Sequence, residues 1–565
     1  MIESGRRAMR GEVWLVALFA VVPLLPFVPK AVSIDAPVFV AVANQILAHP
    51  FDPFGFQMVW DPTSPEAWAF NRNPPLLSYY LAVWIAVFGE ADAWLHVAML
   101  PFSLLAGLSF LGIARRLTDE GARPALLLIA TPCYLILATT VMLDVALLGF
   151  MLFAVYALLR GAEAESVEGR GSGWQIAAGM AAAAAGLTKY VGFSIVPLLA
   201  AALVLLTPRR VGPMLRVLSP PLVIWSAWGA YTAALYGSVH FSGSTDVVLD
   251  RGRFDPNEFW NHIASTPIYY GCCLIFPMFV WARSLVRGNF ASGLAVVGAL
   301  LGACAVKFVL PVGEPSRRIP LQADEAAFAA LGLAGAVVVW GASFRPSRIR
   351  AGAVEHFLLL WLAGLLFFSW FLNWHVNAAD ALLAVPPIVL LIFRDVELRP
   401  SPRTLAIWLA VMLPLSLALA WADLLQANVY RDAARKVAVE IGDQGGARYF
   451  VGHWGLQHYL AKEGFESVVP PQYGRSDLEV DDWVATARNV SQLDVRLNMA
   501  EFKIRPIWVW EFDSAFPLRT TNPDAGGGFY SHHSGYTPFA WTDKPLDTVA
   551  LGRVVGVRDR SRRAP

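Results

Sequence analysis

The sequence predicts a polytopic α-helical membrane protein of about 13 transmembrane helices, followed by a small α/β domain outside the membrane. Three observations predict it. The 565 residues are 56% hydrophobic and only 15% charged, with a mean hydropathy of +0.50, so lipid is the solvent for most of the chain. Apolar runs long enough to cross a bilayer recur from residue 12 to residue 422. Beyond residue 423 the chain turns polar, rich in Gly, Asp, Arg and His, and has no run of that length.

The elements follow in order. The amino terminus, MIESGRRAMRGEVWLVALFAVVPLLPFVPK, joins a basic start to an apolar run. No small-residue cleavage site follows and prolines interrupt its end, so it reads as a retained first span with Arg6, Arg7 and Arg10 on the cytoplasmic side. The expected spans lie near 12–29, 93–113, 124–139, 141–160, 174–188, 190–206, 217–236, 267–285, 291–310, 326–342, 355–372, 379–393 and 404–422. One further run, LLSYYLAVWIAVFG, is read as a helix lying in the interface, 76–89, within a first outer loop of 30–92. With that choice ARRL, RGAEAESVEGRG, PRRVGPMLR, ARSLVRGN, FRPSRIRAG and FRDVELRPSPR all fall inside, as basic loops require.

An odd number of spans then delivers the tail outside. The division is 1–422, transmembrane, and 423–565, soluble and extracytoplasmic. In the tail, RYFVGHWGLQHYLAKEG reads as strand, turn and amphipathic helix, IRPIWVWEF as a strand, and TTNPDAGGGFYSHHSG as a Gly-rich turn loop. The expected location is the cytoplasmic (inner) membrane, multi-pass, with the amino terminus cytoplasmic.

A formal net charge of +1 offers no basic stripe for a row of phosphates, which excludes nucleic acid as a partner. Cys133, Cys272, Cys273 and Cys304 lie in apolar segments without zinc or disulfide spacing, and read as small core residues.

The threading collects polar residues at the outer ends of the spans. They are Asp35 in SIDAPVFV, Asn73 in NRNPPLLSYY beside Asn71 and Arg72, Asp144 in TTVMLDVALLGF, and Lys189 in GLTKYVGF. Arg317 and Arg318 in GEPSRRIPLQ and His375 and Asn377 in LNWHVNAAD join them. Ionisable groups at membrane depth are costly and tend to line a pathway or a site. Two carboxylates among several cations suit the removal of a hydroxyl proton and the holding of a phosphate.

Blander readings stand beside this one: a helix cap or loop acid for Asp35, and a structural ion pair or snorkelling lysine for Asp144 and Lys189. His453 and His458 stand five apart, wrong for two metal ligands on one helical face, and read as a packed turn. His532 and His533 in the Gly-rich loop, and Trp60 and Trp68 in the first outer loop, are weaker candidates for sugar contact.

In the order and sidedness of these motifs the sequence resembles the protein O-mannosyltransferases and the bacterial lipid A aminoarabinose transferases. These are glycosyltransferase family 39-like members of the glycosyltransferase C (GT-C) superfamily, which use polyprenyl-phosphate sugars. The likeness rests on an acid after the first span (SIDAPVFVAVANQIL), a PPL segment opening an interfacial helix (NRNPPLLSYY), an Asp after the third span (MLDVALLGF) and a Thr-Lys at the next outer junction (GLTKYVGF). It covers the first 210 residues well and the later spans loosely.

The resemblance implies the GT-C fold and transfer of a sugar from a polyprenyl-phosphate donor to an acceptor hydroxyl at the outer membrane face, with inversion. It makes Asp35 the general base, Asp144 its assistant in placing the substrates, and Lys189 a contact to the donor phosphate. Charge and sidedness add Arg317 and Arg318 as phosphate contacts, and Asn73, Trp68, His375 and Asn377 as sugar or acceptor contacts. The implied partners are the lipid-linked donor, membrane lipid, and an envelope glycan, lipid or protein as acceptor. No cofactor is certain; a divalent metal is left open, with no residue set in its support.

The chain departs from many relatives in reading Asp35-Ala36 for Asp-Glu, Asn73 before PPL, and DALLAVPP from Asp380. The competing classes are a transporter or flippase of lipid-linked envelope precursors, and a non-catalytic scaffold. Against the transporter, the ionisable residues cluster at outer ends and no inverted repeat is visible.

Overall fold

Proline decides where several of the expected spans stop being straight. In the computed structural model, which describes residues 2–61, 64–207, 211–242, 256–286, 298, 323–345, 348, 352–469, 478–490, 502–535 and 537–557, the run 124–139 divides into the helices Ala122–Ile129 and Pro132–Ala138. Thr131 between them is extended (φ −70°, ψ 144°), because a residue before proline is driven out of the helical region. The run 267–285 is likewise corrected. It forms the helices Pro256–Leu274 and Phe276–Val286, bent by 91° where Ile275 adopts φ 60° and Pro277 follows.

Among the described residues six helices are long and apolar enough to cross a membrane: Met9–Phe27, Asp92–Leu117, Leu143–Val167, Ala326–Ser343, Ala353–Leu372 and Pro402–Ile441. The bent pair makes a seventh. The reading of about 13 spans also counts one run outside the described residues and runs that form shorter or proline-bearing helices, such as Ser172–Thr188, Ile195–Leu206, Val211–Tyr236 and Ala378–Arg394. The run 291–310, Cys304, Arg317 and Arg318 lie outside the described residues.

The segment 30–92 builds a helix Ala36–Ala48 and the expected second helix, Leu76–Phe88. Ser78 Oγ donates to Phe39 O at 3.0 Å and joins the two. Val83 and Val87 remain 68% exposed, an apolar face turned outward as an interface-lying helix requires. At the opposite end of the spans, the basic loops are tied by ion pairs: Arg115 to Glu12 at 2.6 Å, Arg116 to Glu163 at 2.7 Å and Arg348 to Asp395 at 2.5 Å.

The helix Pro402–Ile441 runs unbroken through residue 422, where the sequence reading divides the chain, so the last span continues into the tail. A five-stranded mixed sheet follows, in the order Glu466–Ser467, Arg448–Val451, Trp483–Ala487, Asp547–Val557, Phe502–Phe512. Arg448–Val451 runs parallel to both its neighbours, and Asp547–Val557 antiparallel to both of its own. The helix Trp454–Lys462 packs with it. Trp483, Val549 and Leu551 of the sheet belong to the same continuous apolar cluster as Tyr430, Val437 and the spans, so tail and membrane part share one core.

Candidate functional site

Asp35 is placed by a short turn. Ile34 takes φ 55°, Ala36 N donates to Ser33 O at 3.2 Å, and Pro37 pre-sets the first turn of the helix Ala36–Ala48. Asp35 therefore stands at the N-cap position, yet its side chain makes no capping hydrogen bond. Burial pushes its carboxyl up to about 6, while Lys189 pulls it down and Asp144 pushes it up.

Asp144 lies in the first turn of the helix Leu143–Glu168 and is 4% exposed. Lys189 directly follows the helix Ser172–Thr188, and its Nζ donates to Asp144 Oδ1 at 3.0 Å. The acid at a helix start and the base after a helix end each complement the helix dipole. Lys189 is fixed by a tight turn in which Gly192 N donates to Lys189 O at 2.8 Å. A Cβ at Gly192 would stand 2.3 Å from Ala185 O, so only glycine admits this approach. Asp35, Asp144 and Lys189 thus share one electrostatic site.

His375 and Asn377 stand beside it. Asn377 caps the helix Ala378–Arg394 through a capping box with Asp380, and His375 Nε2 lies 3.0 Å from Asn377 Nδ2 and 3.2 Å from Tyr530 O. Burial, with His533 and Lys189 nearby, holds His375 well below the usual histidine range, so its ring is neutral near pH 7. Trp68 stacks on Tyr236 with ring centroids 4.9 Å apart and lies 5.3 Å from His240. One face of its indole is thereby covered by the helix Val211–Tyr236. Asn73 stands in a turn where its backbone N–H donates to Asn71 Oδ1 at 3.1 Å. His453 is buried next to Trp60, with ring centroids 5.6 Å apart. Among the described residues no group of three or more His, Cys, Asp or Glu side chains is arranged to hold a metal ion.

Two acids of this region escape the motif reading. Asp380 acts electrostatically on Lys189 and accepts from Asn373 Nδ2 at 2.8 Å; the Asn-x-x-Asp spacing of a capping box is its signal in the sequence. Asp423 binds Lys30 at 2.5 Å, and nothing local marks it beyond its place at the end of the last apolar run. Tyr530, from the Gly-rich tail loop, is acted on electrostatically by Asp423, Asp144 and Asp35.

Residues 96–237 match the family model described as dolichyl-phosphate-mannose-protein mannosyltransferase. The matched stretch holds Asp144 and Lys189 and begins after Asp35. Among solved structures, ArnT from Cupriavidus metallidurans bound to undecaprenyl phosphate is similar at 19% identity and TM-score 0.43, over 88% of this chain and 95% of that one. The archaeal oligosaccharyltransferase AglB from Archaeoglobus fulgidus is similar at 12% identity and TM-score 0.44, over 89% of this chain and 73% of that one. The arabinofuranosyltransferase AftD from Mycobacteria is similar at 13% identity and TM-score 0.38, over 98% of this chain and 40% of that one. At these identities nothing about the site carries over residue by residue. No curated protein matches the chain by sequence. Over residues 96–237, the resemblance to mannosyltransferases read from the sequence is matched by the dolichyl-phosphate-mannose-protein mannosyltransferase model.

Proposed function

We propose that the chain transfers a sugar from a polyprenyl-phosphate donor to an acceptor hydroxyl at the outer face of the cytoplasmic membrane, with inversion. The observation that carries this reading is an uncapped, largely buried Asp35 facing the Asp144–Lys189 ion pair. Lys189, 32% exposed at its side chain, keeps a surface from which to meet a phosphate while Asp144 orients it. Asp35 takes the proton of the acceptor hydroxyl as its oxygen attacks the anomeric carbon. The bond from that carbon to the phosphate oxygen breaks, and polyprenyl phosphate leaves with the electron pair beside Lys189. General-base assistance of about 10²- to 10⁴-fold is the share asked of Asp35. Arg317 and Arg318 would add phosphate contacts, and His375 and Asn377 would contact the acceptor or sugar. In this reading residues 423–565 are an extracytoplasmic domain, and the amino terminus is cytoplasmic.

The test uses membranes carrying wild type or Asp35→Asn, a panel of radiolabelled polyprenyl-phosphate sugars, and a bacterial envelope extract as acceptor. Transfer by wild type that falls at least about a hundredfold in Asp35→Asn, with inverted product, supports the reading. Equal transfer by both proteins, or a product of retained configuration, overturns the role of Asp35.

A further inference from the structure

Five positions before Asp35, Lys30 is fully buried. Its Nζ meets Asp423 Oδ2 at 2.5 Å and Thr139 Oγ1 at 3.5 Å. Asp423 is 3% exposed, and its carboxylate also accepts from Thr520 Oγ1 at 2.7 Å and from the Tyr530 hydroxyl at 2.9 Å. One carboxylate therefore ties the start of the first outer loop, the helix Pro402–Ile441 and the Gly-rich tail loop.

The tail also grips the backbone between Lys30 and Asp35. Ala31 N donates to Asn428 Oδ1 at 3.0 Å, and Val32 N donates to the Tyr459 hydroxyl at 2.8 Å. Tyr459 in turn donates to Asp92 Oδ1 at 2.8 Å. In the GHWG segment, a Cβ at Gly455 would stand 2.8 Å from Val32 O, so its glycine lets the tail helix close onto this strand of chain. On the far side, Ala378 N donates to Phe529 O at 3.0 Å and His532 N donates to Val376 O at 2.9 Å. The loop 527–535 is thus stitched to the segment that carries His375 and Asn377.

A buried ion pair is weak evidence for stability, since apolar residues of similar size hold a core as well. What it adds is geometry, because three hydrogen bonds define where Asp423 sits and two define where Lys30 sits. We propose that Lys30 and Asp423, with Thr520 and Tyr530, form a positioning clamp through which the tail sets the chain carrying Asp35 and holds the loop 527–535 against the site. This rests on the reading of Asp35 as the general base. None of the four residues is assigned a bond to substrate; each acts through the placement of Asp35 and of the loop.

Removing Lys30 or Asp423 alone would leave a buried charge unpaired, so the test keeps the ion pair and removes its hydroxyl partners. Thr520→Val combined with Tyr530→Phe, in the full-length protein, is expected to lower kcat about tenfold while the donor KM stays within about twofold. Thr520→Ser, which keeps the hydroxyl, is expected to retain wild-type kcat. Amide hydrogen exchange at residues 31–32 and 528–532 is expected to accelerate in the double variant, with exchange in Leu143–Glu168 unchanged. Unchanged exchange at 31–32, unchanged kcat when that exchange rises, or a Thr520→Ser as impaired as the double variant, overturns the clamp. Exchange needs no turnover, so a wild type that transfers from no donor overturns the reading of Asp35 while the exchange arm still decides the clamp.

Discussion

A proton acceptor works only in its ionised form, and burial pushes the Asp35 carboxyl up to about 6. kcat/KM is therefore expected to fall about tenfold per pH unit below pH 6 and to level off above it; a pH profile with the donor that wild type uses best checks this, and an acid limb near pH 4 would contradict it. The same shift has a sign for stability. Because the folded pKa lies above the unfolded one, the favourable contribution of protonated Asp35 is present below about pH 4 and is lost as pH rises through about 6. Asp35→Asn is thus expected to melt no lower than wild type at pH 7 in detergent while losing transfer. Lys189 differs, because Lys189→Met strands the buried Asp144. That variant is expected to lose about 3 kcal/mol of stability along with donor binding, read by a lowered melting temperature and a raised KM for the donor.

At the scale of elements, caps and tight turns present the site. Asn377 satisfies two backbone donors of the helix Ala378–Arg394 and presents Asp380 toward Lys189. Asn377→Ala is expected to cost about 1 kcal/mol, measured by thermal melting, and to lower transfer because Asp380 loses the turn that orients it. The turn after Lys189 is less forgiving. Gly192→Ala would drive a Cβ into Ala185 O, and a backbone atom has no rotamer by which to retreat. Transfer by that variant is expected to fall more than its yield in membranes does, the two being compared by activity and immunoblot.

The motifs that hold Asp35, Asp144 and Lys189 are legible in sequence because each is an ionisable residue isolated in apolar surroundings at the end of an apolar run. Proline legibility was poorer. Pro132 and Pro277 stand in runs that pass the test of length, yet Pro132 follows an extended Thr131, Pro277 stands two residues after Ile275 at φ 60°, and each run divides into two helices there. Asp423 was legible only as the place where composition changes. Its partner Lys30 lies 393 residues away, a separation over which no local pattern operates.

For the whole molecule, sidedness is the prediction that joins every part. Phe51, 82% exposed, lies in the segment 30–92 that the threading puts outside, and Val167, 78% exposed, lies near the end of the helix that bears Arg160 and Glu163. A cysteine at Phe51→Cys is expected to react with a membrane-impermeant thiol reagent in intact cells, and one at Val167→Cys only after permeabilisation. The described native cysteines, Cys133, Cys272 and Cys273, are buried and supply little background. Labelling of both from the same side would overturn the threading.

By itself the sequence determined the membrane class, the helix Leu76–Phe88, the strands near 448 and 504, and the isolated charged positions Asp35, Asp144 and Lys189 that the structure brings within electrostatic reach of one another. Hydrophobic periodicity and the cost of charge in lipid act over a few neighbouring residues, so they can be read along the chain. Only the tertiary structure decided that Asp35 spends nothing on its helix cap, that Asp380 joins Lys189, and that the tail shares a core with the spans and reaches back to Lys30. Those facts depend on which distant segments are packed together, and packing is settled by the three-dimensional fit of the whole chain.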